Sequence, residues 1–241
     1  MNTITPTKIS SRVSPLFGAI AYPLGNQFVL PYYFDHIFVT GQHHIPSHGP
    51  VILAPTHRSR WDALIVAHAT GKGVTGRDLR FMVSADEMKG VQGWFIRQLG
   101  GFPVDTRRTR RTKMASLDHT VELLNRGQMV VIFPEGNIFR DTQVQPIKRG
   151  VAKVAIEAQA RRASTLPSVQ IVPIDLHYSD PVPHRGTAVR VTIGQPLAAA
   201  DYSTDSLKAG SKQLTQDLAT ALQSLGSTVC GDPWHSGTMR Y

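Results

Sequence analysis

Apolar residues along the chain follow two rhythms. Short unbroken runs, Val51-Ile52-Leu53-Ala54 and Met129-Val130-Val131-Ile132-Phe133, have the density of strands covered on both faces, and the second is the clearest in the sequence. Further strands are predicted at 79–84, 169–176 and 188–193. Between them, apolar positions spaced three and four apart predict helices at 62–70, 91–99, 109–125, 151–162 and 207–225. Gly100-Gly101 stops the second of these helices and Gly127 the third. Strands alternating with helices predict an α/β fold with a single mixed central sheet flanked by helices. No repeat or low-complexity tract interrupts the pattern. The expected organisation is an N-terminal apolar segment over 1–40, one domain over 41–225 and a mobile polar tail over 226–241.

The N-terminal segment departs from both rhythms. Its apolar stretch passes from Ala19-Ile20-Ala21 through Phe28-Val29-Leu30 to Tyr32-Tyr33-Phe34, with Pro23, Gly25 and Pro31 interrupting it. No unbroken span of about 18 apolar residues results, so a transmembrane helix is not expected. Lys8 and Arg12, ahead of the apolar residues, give only a faint likeness to a signal peptide. Two readings remain open. The segment lies in the headgroup layer of a membrane, its aromatic residues buried and Lys8 and Arg12 near anionic lipid, or it is a helix packed on the domain's own core.

Composition narrows the partners. With 41% hydrophobic and 18% charged residues, the 241-residue chain has enough apolar material for a substantial core. A formal net charge of +9 points to an anionic partner: nucleic acid, a phospholipid surface, a phosphorylated small molecule or an acidic carrier protein. The single cysteine, Cys230, excludes an internal disulfide and is compatible with a cytosolic compartment. His43, His44 and His57 make no ligand set of recognisable spacing, so no metal is expected.

Three segments carry candidate chemistry. His57-Arg58-Ser59-Arg60-Trp61-Asp62 joins a predicted strand to a predicted helix, where ligands gather in open α/β sheets. Inside one helix His57 and Asp62 would point about 140° apart, so they meet only if a turn separates them. Thr56 to Trp61 can supply that turn, and Asp62 then fixes one imidazole nitrogen while the other faces substrate. Read alone, a histidine with an aspartate five residues later is also a frequent coincidence. Phe133-Pro134-Glu135-Gly136 ends the strongest strand and puts a carboxylate and a flexible glycine at the same sheet edge, although such a sequence also serves as a plain reversing turn. Arg107, Arg108, Arg110, Arg111 and Lys113 form the densest positive cluster, suited to phosphate through the planar guanidinium fork or to a solvated helix face.

Taken in order, these segments resemble the glycerolipid acyltransferase family. His57 and Asp62 match its first motif, a histidine and an aspartate separated by four residues, and Gly41, Pro46 and Gly49-Pro50-Val51-Ile52 resemble its lead-in. Gly101-Phe102-Pro103-Val104-Asp105 is similar to the second motif, with the following arginine displaced by Thr106 to Arg107. Phe133-Pro134-Glu135-Gly136-Asn137-Ile138-Phe139-Arg140 resembles the third, except that Ile138 stands where arginine is usual and Arg140 follows two residues later. Pro146-Ile147-Lys148-Arg149-Gly150 and Val172-Pro173-Ile174 resemble the family's later segments. The likeness spans roughly 35–195, and several motifs in the right succession are far more specific than one.

The resemblance implies a 1-acylglycerol-3-phosphate O-acyltransferase of phospholipid synthesis, its acyltransferase domain over 41–225. His57 is then the general base, oriented by Asp62, and Arg107, Arg108, Glu135, Gly136 and Arg140 are the phosphate-binding and acceptor-shaping residues. The implied partners are lysophosphatidate, acyl-coenzyme A or an acidic acyl carrier protein, and an anionic membrane surface, with no nucleic acid. No cofactor is implied, because the acyl thioester is a co-substrate. The implied place is the cytoplasmic face of a membrane, peripheral or monotopic. The alternatives are a related enzyme acting on glycerol 3-phosphate or another lysophospholipid, and a non-enzymatic basic membrane-binding protein that would leave the ordered motifs unexplained.

Overall fold

The structure, a computed structural model, describes residues 9, 11–104, 110–163, 165–202 and 206–227, with the side chains of 110–113 left out. In chain order the helices are α1 (Pro15–Leu24), α2 (Leu30–Tyr33), α3 (Asp62–Thr70), α4 (Lys72–Thr75), α5 (Gly90–Gln98), α6 (Arg110–Asn125), α7 (Gly150–Ala160) and α8 (Leu207–Ser227). The strands are β1 (Phe34–Thr40), β2 (Val51–Pro55), β3 (Leu79–Ser84), β4 (Gly101–Val104), β5 (Met129–Val131), β6 (Gln170–Tyr178), β7 (Thr187–Ile193) and β8 (Leu197–Ala198).

The unbroken apolar runs lie at the centre of one sheet, ordered β1-β7-β6-β2-β5-β3-β4, with β8 on the edge of β6. Strands β6, β2, β5, β3 and β4 are parallel, whereas β7 runs antiparallel to β6 and carries β1 parallel to itself. The sheet is therefore mixed. Every residue of β2 is buried, because the two-residue period of a strand sends alternate side chains into two cores. Ile52 and Ala54 join α6, α7 and α8 on one face, and Val51 and Leu53 join α3 and the N-terminal helices on the other. Leu214, Leu218 and Leu222, four apart on α8, are the stripe that covers the first core.

One feature differs from the sequence expectation. β1 lies within the segment 1–40, so the sheet begins at Phe34; its half-exposed edge position left it without a buried-strand signature. The N-terminal residues are helical throughout 15–33, in spite of Pro23 and Pro31. Gly25–Val29 forms a π-helical turn in which Leu30 N–H donates to Gly25 C=O, and Leu24, Gly25, Val29 and Leu30 all keep right-handed helical geometry. A wider turn of this kind accommodates chain that proline would otherwise break. One side of the run packs inward through Gly18, Gly25 and Leu30, while Leu16, Ile20, Leu24, Phe28 and Tyr32 point out. Among the described residues no helix is long and apolar enough to cross a membrane. The tail expected beyond Gly226 lies, from residue 228 onward, outside the described residues.

Leu53→Ala tests the centre of the sheet. Truncating this fully buried side chain should lower unfolding stability by about 2–5 kcal/mol in urea titrations.

Candidate active site

The C-terminal ends of the five parallel strands share one edge of the sheet, and His57, Asp62 and Glu135 come together there. β2 ends at Pro55, and the chain turns through Thr56 to Trp61 before α3 begins at Asp62. Asp62 shapes this turn. Its Oδ2 accepts from Arg58 N–H at 2.6 Å and Ser59 N–H at 2.8 Å, which folds the chain back toward the start of α3. The same oxygen lies 2.8 Å from His57 Nδ1, so the imidazole is oriented by a carboxylate that is wholly buried. Oδ1 accepts from the Tyr178 hydroxyl at 2.7 Å. The His57 side chain is 20% exposed and stacks on Phe133 at 4.0 Å between ring centroids. Nε2 has no partner among the described residues.

Glu135, in the loop after β5, approaches the turn from the neighbouring strand. Its oxygens accept His57 N–H at 2.7 Å, Arg58 Nη1 at 2.9 and 3.0 Å, and Gln145 N–H at 2.8 Å. Both Glu135 and Arg58 are buried, and the second guanidinium nitrogen donates to the Gln143 carbonyl at 3.2 Å. Phe139 N–H donates to the His57 carbonyl at 2.8 Å, so the loop holds His57 at both of its peptide groups. Gly136 has a positive φ of 72°, a conformation that favours glycine, and the flexible end of the Lys148 side chain lies over it. Arg140 is exposed one residue beyond the Phe139 contact. Arg107 and Arg108 lie outside the described residues. No group of three metal-ligating side chains occurs among the described residues.

Behind the turn, Thr56 donates to Asp175 Oδ1 at 3.3 Å and accepts from Leu176 N–H at 2.9 Å, tying the end of β2 to β6. Burial pushes Asp175 up to about 6, although Arg58 and the Thr56 hydroxyl oppose it.

Sequence reasoning did not single out Arg58 or Tyr178. Arg58 lies inside the first motif, and only its burial beside Glu135 shows its part. Tyr178 lies two residues past the predicted end of its strand; continuing the alternation of Ile174 and Leu176 would have placed it on the same buried face.

A carboxylate-oriented imidazole at the edge of an α/β sheet is an arrangement suited to moving a proton to or from a bound substrate. The acyltransferase family matches residues 36–177, more than half of the chain, and the chain belongs to that family. It is 25% identical over 188 residues to the 1-acyl-sn-glycerol-3-phosphate acyltransferase of Bacillus subtilis, covering 78% of this chain and 86% of that one. It is also 24% identical over 136 residues to the mouse mitochondrial glycerol-3-phosphate acyltransferase 1, covering 54% of this chain but only 16% of the much longer relative. The crystal structure of the 1-acyl-sn-glycerophosphate (LPA) acyltransferase PlsC from Thermotoga maritima has the same fold. The TM-score is 0.62 at 19% identity, covering 88% of this chain and 79% of that one.

Asp175 generates a pH prediction. Its folded pKa is raised from 3.8 to about 6, so between these values the folded state holds the proton that the unfolded state has released. Stability therefore falls as pH rises through that window. Asp175→Asn removes this loss, and the variant should gain about 2–3 kcal/mol relative to wild type between pH 4 and pH 7, measured by urea unfolding.

Proposed function

We propose that the chain transfers a fatty acyl group from an acyl thioester, of coenzyme A or an acidic acyl carrier protein, to the sn-2 hydroxyl of 1-acylglycerol 3-phosphate, giving phosphatidate. The observation that carries the chemistry is the His57–Asp62 pair, 2.8 Å apart, with Nε2 open. In this reading Nε2 takes the hydroxyl proton as the oxygen attacks the thioester carbonyl carbon. The tetrahedral intermediate expels the thiolate as the carbon–sulfur bond breaks, and the imidazolium returns the proton to sulfur. Asp62 stabilises the imidazolium and fixes its tautomer. Arg107, Arg108 and Arg140 take the acceptor phosphate through charge-assisted hydrogen bonds. Glu135 and Gly136 shape the acceptor side by holding the loop, since the Glu135 oxygens are already engaged. The thioester is a co-substrate, and neither cofactor nor metal is assigned a role.

The exposed apolar stripe supports peripheral or monotopic work at a membrane surface, which we assign to the cytoplasmic face as part of the same proposal. Leu16, Ile20, Leu24, Phe28 and Tyr32 on the N-terminal helical run stand beside Val91, Trp94 and Phe95 of α5, all exposed. Phe17 joins the two elements through edge-on contacts with Trp94 at 5.4 Å and Phe95 at 5.1 Å. Such a patch is larger than scattered surface residues and suits the boundary of headgroups and acyl chains. The net charge of +9 favours anionic lipid. The likeness to glycerol-3-phosphate acyltransferases keeps glycerol 3-phosphate as a second acceptor to assay.

Two experiments test this reading. Purified wild type should form phosphatidate from lysophosphatidate with acyl-coenzyme A or acyl carrier protein, and His57→Ala should lower turnover by roughly 10²–10⁴ while keeping the fold. Undiminished turnover in the variant removes His57 from the mechanism, and product only from glycerol 3-phosphate reassigns the acceptor. Ile20→Asp with Phe28→Asp should weaken sedimentation with anionic vesicles roughly a hundredfold, from the lost burial of two large apolar side chains. Unchanged partitioning would place the membrane contact elsewhere.

A further inference from the structure

Asp62 draws donors from two directions. On one side are His57 and the amides of Arg58 and Ser59, all on Oδ2; on the other, the hydroxyl of Tyr178 reaches Oδ1 at 2.7 Å. Tyr178 ends β6, 116 residues further along the chain, and is itself buried. We infer that Tyr178 is a positioning residue for acyl transfer: its hydroxyl locks the Asp62 carboxylate with Oδ2 toward His57 and stabilises the deprotonated state of the pair. The inference rests on the proposed role of His57 as general base.

Two physical facts favour it. Without the phenol, Oδ1 would be a bare carboxylate oxygen in a wholly buried place, and such a group either finds a donor or takes up a proton. The ring also has little freedom to leave. Phe34 lies 6.2 Å from it and meets Trp61 edge-on at 5.5 Å, and Trp61 adjoins Asp62 in sequence. Burial, and then the charge of Asp62, raise the phenol well above its ordinary value, so the hydroxyl keeps its proton at working pH.

The other ionisable groups around the pair are few. Arg58 and Glu135 face it from the turn and from the loop after β5, and are paired with each other. Asp175 and His177 project from the opposite face of β6, with Arg190 across from His177 on β7. From the N-terminal side comes Tyr33, whose hydroxyl donates to the Pro183 carbonyl at 2.9 Å. Asp175 titrates in the same range as a histidine, so its contribution needs a control.

The phenol stabilises the form of the His57–Asp62 pair that has lost a proton. Removing it favours proton uptake whichever partner holds the proton, so the apparent pKa of the pair rises. The test is the pH profile of kcat/KM for phosphatidate formation by the full chain. Wild type is compared with Tyr178→Phe, Asp175→Asn, His57→Ala and protein carrying 3,5-difluorotyrosine at position 178. In Tyr178→Phe the acidic limb should move up by roughly one to two pH units, with kcat reduced about tenfold at neutral pH and KM for lysophosphatidate unchanged. The more acidic difluorophenol is a stronger donor and should move the limb down. Asp175→Asn should leave the limb where it is; a shift there equal to that of Tyr178→Phe would assign the limb to Asp175 and overturn the inference. A folded Tyr178→Phe protein with the wild-type profile also overturns it. If that variant fails to fold, the difluorotyrosine protein decides: a downward shift supports the role and an unmoved limb overturns it. Turnover retained by His57→Ala would remove the general-base reading and the positioning role together, whereas an inactive His57→Ala beside an unshifted Tyr178→Phe removes the positioning role alone.

Discussion

The buried carboxylate of Glu135 is the constraint on which the site depends. It bridges segments that are distant in sequence, accepting from the amide of His57, the guanidinium of Arg58 and the amide of Gln145. The bridge is possible because β5 and β2 are neighbours in parallel register, so their C-terminal loops emerge side by side. A buried ion pair is weak evidence for stability, since desolvation offsets much of the attraction. Its value lies in register. In this placement of the loop after β5, Glu135 is satisfied, Phe139 N–H donates to the His57 carbonyl and Lys148 N–H donates to the Pro134 carbonyl.

Asp62 and Glu135 form a pair of buried carboxylates with different tasks, coupled through one residue. The Arg58 amide donates to Asp62, and its guanidinium donates to Glu135. A displacement of Arg58 would disturb both carboxylates at once. The backbone of the turn is thus held from the side of α3 and from the side of β5, while the imidazole keeps Nε2 without a partner among the described residues. This division resembles the general design of a preorganised site, in which the reacting side chain is fixed by groups that do not react.

Much of this was legible in the chain, and the omissions have physical causes. The runs at β2 and β5 announce buried parallel strands because both of their faces are covered. Gly100-Gly101 and Gly127 mark real boundaries of α5 and of α6. His57, Asp62 and Glu135 were visible as side chains of chemical use at strand ends. Tyr178 was not, because its contact with Asp62 depends on the length of β6 and on how β6 is placed relative to α3. The partnership of Arg58 with Glu135 is equally non-local. Pro23 and Pro31 were read as interruptions that make a transmembrane helix unexpected, and no described helix is long and apolar enough to span a membrane; the chain still stays helical through both, with a π-helical turn between them.

That turn also settles the geometry of the N-terminal surface. Its exposed apolar residues, Leu16, Ile20, Leu24, Phe28 and Tyr32, recur every fourth position. In an uninterrupted α-helix each such step advances about 40° around the axis, so the four steps would spread the five residues over nearly half the circumference. The bond from Leu30 to Gly25 widens the helix midway and reduces the turn per residue, which counters this drift and keeps the stripe on one side. The same run ends in Tyr33 and Phe34, whose rings lie 4.2 and 5.5 Å from Trp61, the residue before Asp62. The apolar stripe and the turn that carries His57 are therefore joined by packed aromatic rings rather than by a flexible linker. In the proposed reading this matters for the acceptor, whose acyl chain stays in the bilayer while its hydroxyl must come to His57. The distance between those two demands is set by the helix and its aromatic end.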